Sequence, residues 1–133
     1  MNRKTARENA FILIFERCFR SDSVEDIIAD AIEARDFEYD DYVETVFKGV
    51  CEKTVEIDSA ISANLQGWSI TRLSKVTLSL LRLAVFEMMY LEEIPVKVSI
   101  NEAVEIAKKY STQDDASYIN GVLGSVASKL ESR

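Results

Sequence analysis

The chain has 133 residues, 47% apolar and 29% charged, with a formal net charge of −7, the make-up of one globular domain spanning 1–133 that can bury a core without staples. It contains no histidine and two cysteines, which excludes Ser-His and Cys-His nucleophile pairs, His-containing zinc sites and a structural zinc site built on cysteine alone. No apolar run reaches the roughly 20 residues of a membrane span, and no small-residue cleavage site follows the basic start, which Glu8, Asn9 and Glu16 interrupt. The expectation is a cytoplasmic protein with no membrane, cofactor or metal, and not an enzyme.

Four glycines and one proline are little punctuation, so long helices are expected. Thr5-Ala-Arg-Glu8 has the form of a capping box, which starts a first helix running to about Phe19 with Ala6, Ala10, Phe11, Leu13, Ile14 and Phe15 on a broad apolar face. Cys18 and Cys51 fall inside helical patterns and are expected as buried free thiols. A second helix begins near Ser23, with Val24, Ile27, Ile28, Ala31 and Ile32 at helical spacing. Val43, Val46, Phe47, Val50, Ile57 and Ile61 mark one stripe of a long third helix from about Asp40 to Leu65. Gly67 breaks it, and Trp68 is expected to plug the junction.

From Thr71 to Tyr90 the pattern is helical again, with a break near Ser74 and Leu80, Leu81, Ala84 and Val85 toward the core. Pro95 ends the next connector. Ser99-Ile-Asn-Glu102 forms a second capping box, opening a helix through Ala103, Val104, Ala107 and Tyr110. "YSTQDD" is expected as the loop before the last helix. In "SYINGVLG" (117–124) the Asn120-Gly121 pair is a strong hairpin signal. The apolar positions Tyr118, Ile119, Val122, Leu123, Val126, Ala127 and Leu130 nonetheless follow helical spacing, so the run belongs to a final helix. The opposite side carries Ser117, Gly121, Gly124, Ser125 and Ser128, a small smooth face that is either indifferent surface or a place of close approach. The sum is an all-α domain of six or seven helices.

Charge is uneven along the chain. Residues 1–20 hold five Lys/Arg against two Asp/Glu, net +3; residues 21–66 hold three against thirteen, net −10; residues 67–133 hold eight of each. Arg3, Lys4 and Arg7 cluster at the start of the first helix, where cations oppose the helix dipole by roughly 0.3–1 kcal/mol each. They form either a solvating tail or a phosphate-binding patch. If they form a phosphate-binding patch, removing Arg3 and Arg7 together is expected to weaken binding of a polyanion without lowering the melting temperature.

"TARENAFILIF" at 5–15, "LLRLAVFEM" at 80–88, "IPVKVSINEAVEIAKKYS" at 94–111 and "SYINGVL" at 117–123 resemble the NusB family of transcription antitermination factors over nearly the whole chain. The resemblance implies two packed helical subdomains. It also implies binding of boxA-type RNA together with the ribosomal protein NusE, within the RNA polymerase antitermination complex that reads through ribosomal RNA operons. Arg3, Lys4 and Arg7 match an arginine-rich segment of the family, although Thr5 interrupts its basic run. Tyr118 matches an aromatic beside the RNA, Asp114 lies in the adjoining loop, and Arg82 matches a basic position near that surface; Tyr118 is equally well placed for the core. Some members dimerise, so a homodimer is open. Two other functions remain: an RNA-binding appendage of an RNA cytosine methyltransferase, and a helical protein-binding adaptor.

Overall fold

The register of buried positions along each helix sets the architecture. In a computed structural model, which describes residues 1–34 and 37–131, the described chain forms seven helices: α1 Arg3–Arg17, α2 Val24–Glu33, α3 Asp41–Glu52, α4 Thr54–Ser62, α5 Lys75–Tyr90, α6 Val96–Tyr110 and α7 Gln113–Glu131, with a single 3-10 turn at Ile70–Arg72. The all-α expectation holds. α1, α2 and α3 pack as one group and α5, α6 and α7 as another, while α4 leans on α5. α5 is the helix both groups share. From Thr77 to Glu87 every residue is buried except the half-buried Arg82, and a helix covered on all sides belongs at a centre. One core runs through both groups, with Phe11, Leu13, Ile27, Phe47, Leu80, Leu81 and Ile119 all but completely buried. Each such side chain contributes roughly 1.5–3 kcal/mol.

Ser23, Asp40 and Ser74 cap α2, α3 and α5, accepting from the amides of Asp26 at 3.1 Å, Val43 at 2.9 Å and Thr77 at 3.1 Å. The expected break near Ser74 is there. Gly67 does not end a helix: α4 stops at Ser62 with Ala63 as its C-cap, and Gly67 lies in the connector beyond, in the left-handed region at φ +76°.

Several expectations are corrected. α1 is capped by Asn2, whose Oδ1 accepts from Thr5 N at 2.8 Å; Thr5 is inside the helix. The stripe from Asp40 to Leu65 is two helices, because Lys53 leaves helical geometry at φ −104°, ψ 19°. Thr54 Oγ1 donates back to Val50 O at 2.7 Å there, a contact that bends helices. α6 starts directly after Pro95, and Ser99 is buried within it, so neither Ser99 nor Glu102 makes a capping box. Trp68 is 55% exposed and plugs nothing. The loop before α7 is also shorter than expected: Thr112 Oγ1 accepts from Asp115 N at 3.0 Å and the helix starts at Gln113.

The final helix contains Asn120 and Gly121 as expected. A Cβ built on Gly121 or Gly124 would meet nothing within 4 Å, so no other helix approaches those positions. Ser125 differs, donating to Asn64 Oδ1 at 2.6 Å. The close approach lies elsewhere, at Gly49 of α3, where a Cβ would stand 2.2 Å from the Phe86 ring of α5. Among the described residues no helix is long and apolar enough to cross a membrane.

Candidate nucleic-acid interface

The basic start of α1 divides into an inner and an outer layer. Arg7 is inner, only 5% exposed. Its Nε donates to Glu87 Oε2 at 2.8 Å, and Nη1 lies 3.8 Å from Glu102. Glu87 is itself 1% exposed and also accepts from Ser99 Oγ at 2.7 Å and from the Tyr42 hydroxyl. One carboxylate thus ties α1, α3, α5 and α6 together. Such a group is tolerable in a core only because its lone pairs are satisfied. Burial, followed by the charge of Glu87 and its hydrogen bond, pushes the Tyr42 phenol well up, so it stays a donor. Arg7 is therefore held in the core rather than presented to solvent.

Arg3 and Lys4 are outer. The Arg3 guanidinium lies 4.4 Å from the centre of the Tyr42 ring and has no acidic partner among the described residues. Lys4 Nζ, on a side chain 70% exposed, has only Glu102 at 3.5 Å. One turn further on, Glu8 accepts from Lys109 Nζ at 2.8 Å and from the Tyr110 hydroxyl at 2.7 Å. Lys109 also lies 5.5 Å from the centre of the Tyr110 ring. Burial alone would raise Glu8, but these two hydrogen bonds and the Lys109 charge hold it below the usual carboxylate value. Burial and the hydrogen bond to Glu8 push Tyr110 up to about 12.

Sequence reasoning misses Lys109 and Tyr110 as site residues and names Tyr110 only among the apolar positions of its helix. The "KKY" run is the available signal, but nothing local says that α6 returns to lie beside α1.

Tyr118 and Asp114 sit at the other end of α5. They line a cleft of about 360 Å³ with Trp68, Arg72, Ser74 and Thr77. Thr77 and Glu87 are ten residues apart on α5, a separation of roughly 15 Å at the helical rise, so the predicted residues form two groups. Tyr118 is half-buried, and its hydroxyl is closed off from solvent with no hydrogen-bond partner among the described residues. That burial raises its pKa. A hydroxyl buried without a partner costs about 1–3 kcal/mol.

Arg82 belongs to neither group. Its Nε and Nη2 fork onto Asp58 at 2.9 and 2.8 Å, which raises its own pKa against the cost of burial. It lines a separate cleft with Arg17, Cys18 and Cys51. Both cysteines are free thiols as expected, though half-buried rather than buried. Burial pushes the Cys51 thiol up, which suits an inert thiol better than a nucleophile. Among the described residues no group of three His, Cys, Asp or Glu is placed to hold a metal ion.

An exposed basic helix start with an aromatic neighbour suits contact with a flexible polyanion; the second cleft offers aromatic rings, but with Asp114 and Asp115 against Arg72 it carries no net positive charge. Comparison with known proteins points the same way. The NusB family profile matches residues 4–128. A transcription antitermination protein NusB of Natranaerobius thermophilus is 45% identical over 135 residues, covering 98% of this chain and 97% of that one. One from Listeria monocytogenes is 45% identical over 127 residues, covering 96% and 97%. Among solved structures, NusB of T. maritima superposes with a TM-score of 0.85 at 33% identity, covering 96% of this chain and 92% of that one. A structure of antitermination factors NusB and NusE in complex with dsRNA superposes at 0.86 with 27% identity, covering 96% of each.

Proposed function

This chain belongs to the NusB family and is a transcription antitermination factor; from that premise we propose that it binds boxA-type RNA through the exposed start of α1, jointly with the ribosomal protein NusE. The observation that carries this is the placement of Arg3 and Lys4. Both are cations at a helix N-terminus, where the dipole opposes them. Among the described residues Arg3 has no acidic partner, and Lys4 has one at the edge of contact. The Tyr42 ring under Arg3 and the Glu102 carboxylate near Lys4 give each a modest stabilising contact, but neither cation is fully neutralised, and phosphate binding would supply the missing counter-charge.

Arg7 then acts as a positioning residue: its buried pair with Glu87 fixes the helix that carries Arg3 and Lys4. Lys109 and Tyr110 extend the surface along α6, and Asp114 and Tyr118 form its far end. Arg82, committed to Asp58, contributes structure rather than contact.

Few bases are available, and phosphate contacts made by so few give modest affinity at physiological salt. The net −10 of residues 21–66 repels RNA from other faces. Both features favour a second RNA-binding chain, such as the NusE that accompanies NusB and dsRNA in the solved complex. The complex so formed acts on RNA polymerase in the cytoplasm, with residues 1–133 working as one RNA-binding domain. Filter binding with a boxA RNA oligonucleotide, with and without purified NusE, tests this. Enhancement by NusE supports it; association with NusE and no effect on RNA retention would identify a protein adaptor instead. A homodimer that covers the α1 start would dissociate on adding RNA, which light scattering detects.

A further inference from the structure

We propose that the cleft between the Gly67 turn and α7 is a subsite for one unpaired nucleobase, stacked on Trp68 and met along its polar edge by Gln66 and Asn64. This deepens the RNA-binding function above and rests on it. The cleft encloses about 400 Å³. Its walls are an indole, a phenol, two amides and serine hydroxyls, with no charged side chain among them. That chemistry suits neither a phosphate nor an acidic or basic peptide. It suits a base, whose π-face stacks on an aromatic ring and whose edge presents donors and acceptors together.

Three structural details prepare the cleft. Gly67, at φ +76°, adopts a backbone open to glycine at no steric cost, and the turn it makes leaves Trp68 55% exposed beside Tyr118. Asn64 is fixed in place, donating Nδ2 to Ala60 O at 2.8 Å and accepting from Ser125 at 2.6 Å. Gln66 is exposed, and its amide has no hydrogen-bond partner among the described residues. Gly121 leaves the α7 side open, since a Cβ there would touch nothing within 4 Å. The small face of α7 therefore has a use: it leaves room for a flat ring.

Trp68 is the sole tryptophan, so its fluorescence reports on its own surroundings, this cleft and the Asp114 cleft that it also lines, and the Gly121 variant tells the two apart. The experiment titrates the full chain, with NusE present, against an unlabelled boxA RNA for tryptophan emission and an end-labelled one for anisotropy. Saturable quenching of Trp68 that follows the anisotropy curve is expected. Trp68→Ala should weaken binding roughly tenfold, the scale of one base stack, and Trp68→Phe should restore most of it. Gly121→Leu, which fills the open side of the cleft, should weaken RNA binding while raising the melting temperature, because glycine is a poor helix former. Anisotropy showing RNA bound with full affinity to Trp68→Ala and Gly121→Leu would overturn the subsite and leave RNA binding standing. A change in Trp68 emission on adding NusE alone, with none on adding RNA, would assign the cleft to protein contact and overturn the proposal. Absence of any RNA binding would overturn both.

Discussion

Arg7 Nε and Glu87 Oε2 meet at 2.8 Å across 80 residues of sequence, and both side chains are all but sealed from solvent. This pair changes what the basic N-terminus is. The sequence groups Arg7 with Arg3 and Lys4 as a surface cation whose removal leaves the fold untouched. In the structure it is the counter-charge that makes a buried carboxylate tolerable. Removing one member of a buried pair costs about 3–5 kcal/mol. Arg7→Ala should therefore lower stability by about that amount in a urea melt, and any weakening of RNA binding should follow from unfolding or from a displaced α1. Equal stability of Arg7→Ala and wild type would show that the pair is not needed for the fold.

The Glu8 contact with Lys109 and Tyr110 makes a pH-dependent contribution. Its carboxyl is held below the ordinary value, so the contribution is fully present above the unfolded value near 4.3 and fades as pH falls through the folded value. Glu8→Gln should flatten the stability–pH curve below about pH 4 relative to wild type, and change it little near pH 7 in slope. Parallel curves for the two proteins in acid would show the contact to be energetically silent.

Two glycines on helices should respond in opposite ways to the same substitution. Gly49→Ala would drive a methyl to 2.2 Å from the Phe86 ring. Overpacking of this kind costs about 1–3 kcal/mol, set against a propensity gain near 1 kcal/mol, so a net destabilisation of about 1 kcal/mol is expected. Gly124→Ala meets nothing and should gain about 0.5–1 kcal/mol. Thermal melts of the two variants decide the matter, and a stabilised Gly49→Ala would mean that α3 and α5 can part without cost.

The helices are legible in the sequence because their apolar spacing is strong, and for that reason α7 stands out against the hairpin signal of Asn120-Gly121. Helix starts are less legible. Thr5–Glu8 and Ser99–Glu102 both have capping-box spacing, yet tertiary partners claim these residues: Glu8 turns to Lys109, Ser99 to Glu87, and Glu102 to Lys4 and Arg7. The division of the third helix at Lys53 is invisible because Val50 and Ile57 keep helical spacing across the break. Charge alone does not separate Arg3 from Arg7, since residues one turn apart on a helix can face different surroundings. Lys109, Tyr110 and Trp68 join the candidate surface only once α6 and the Gly67 turn are placed, which is long-range information.

The most direct measurement is an anisotropy titration of boxA RNA, with NusE present, against wild type and the Arg3→Ala/Lys4→Ala double variant at several salt concentrations. Each phosphate left without its cation should reduce the salt slope by about 0.7 for a single strand. The double variant is expected to bind more weakly, with a slope shallower by roughly 1.4 and an unchanged melting temperature. Equal affinity and equal slope for the two proteins would contradict an RNA site at the start of α1.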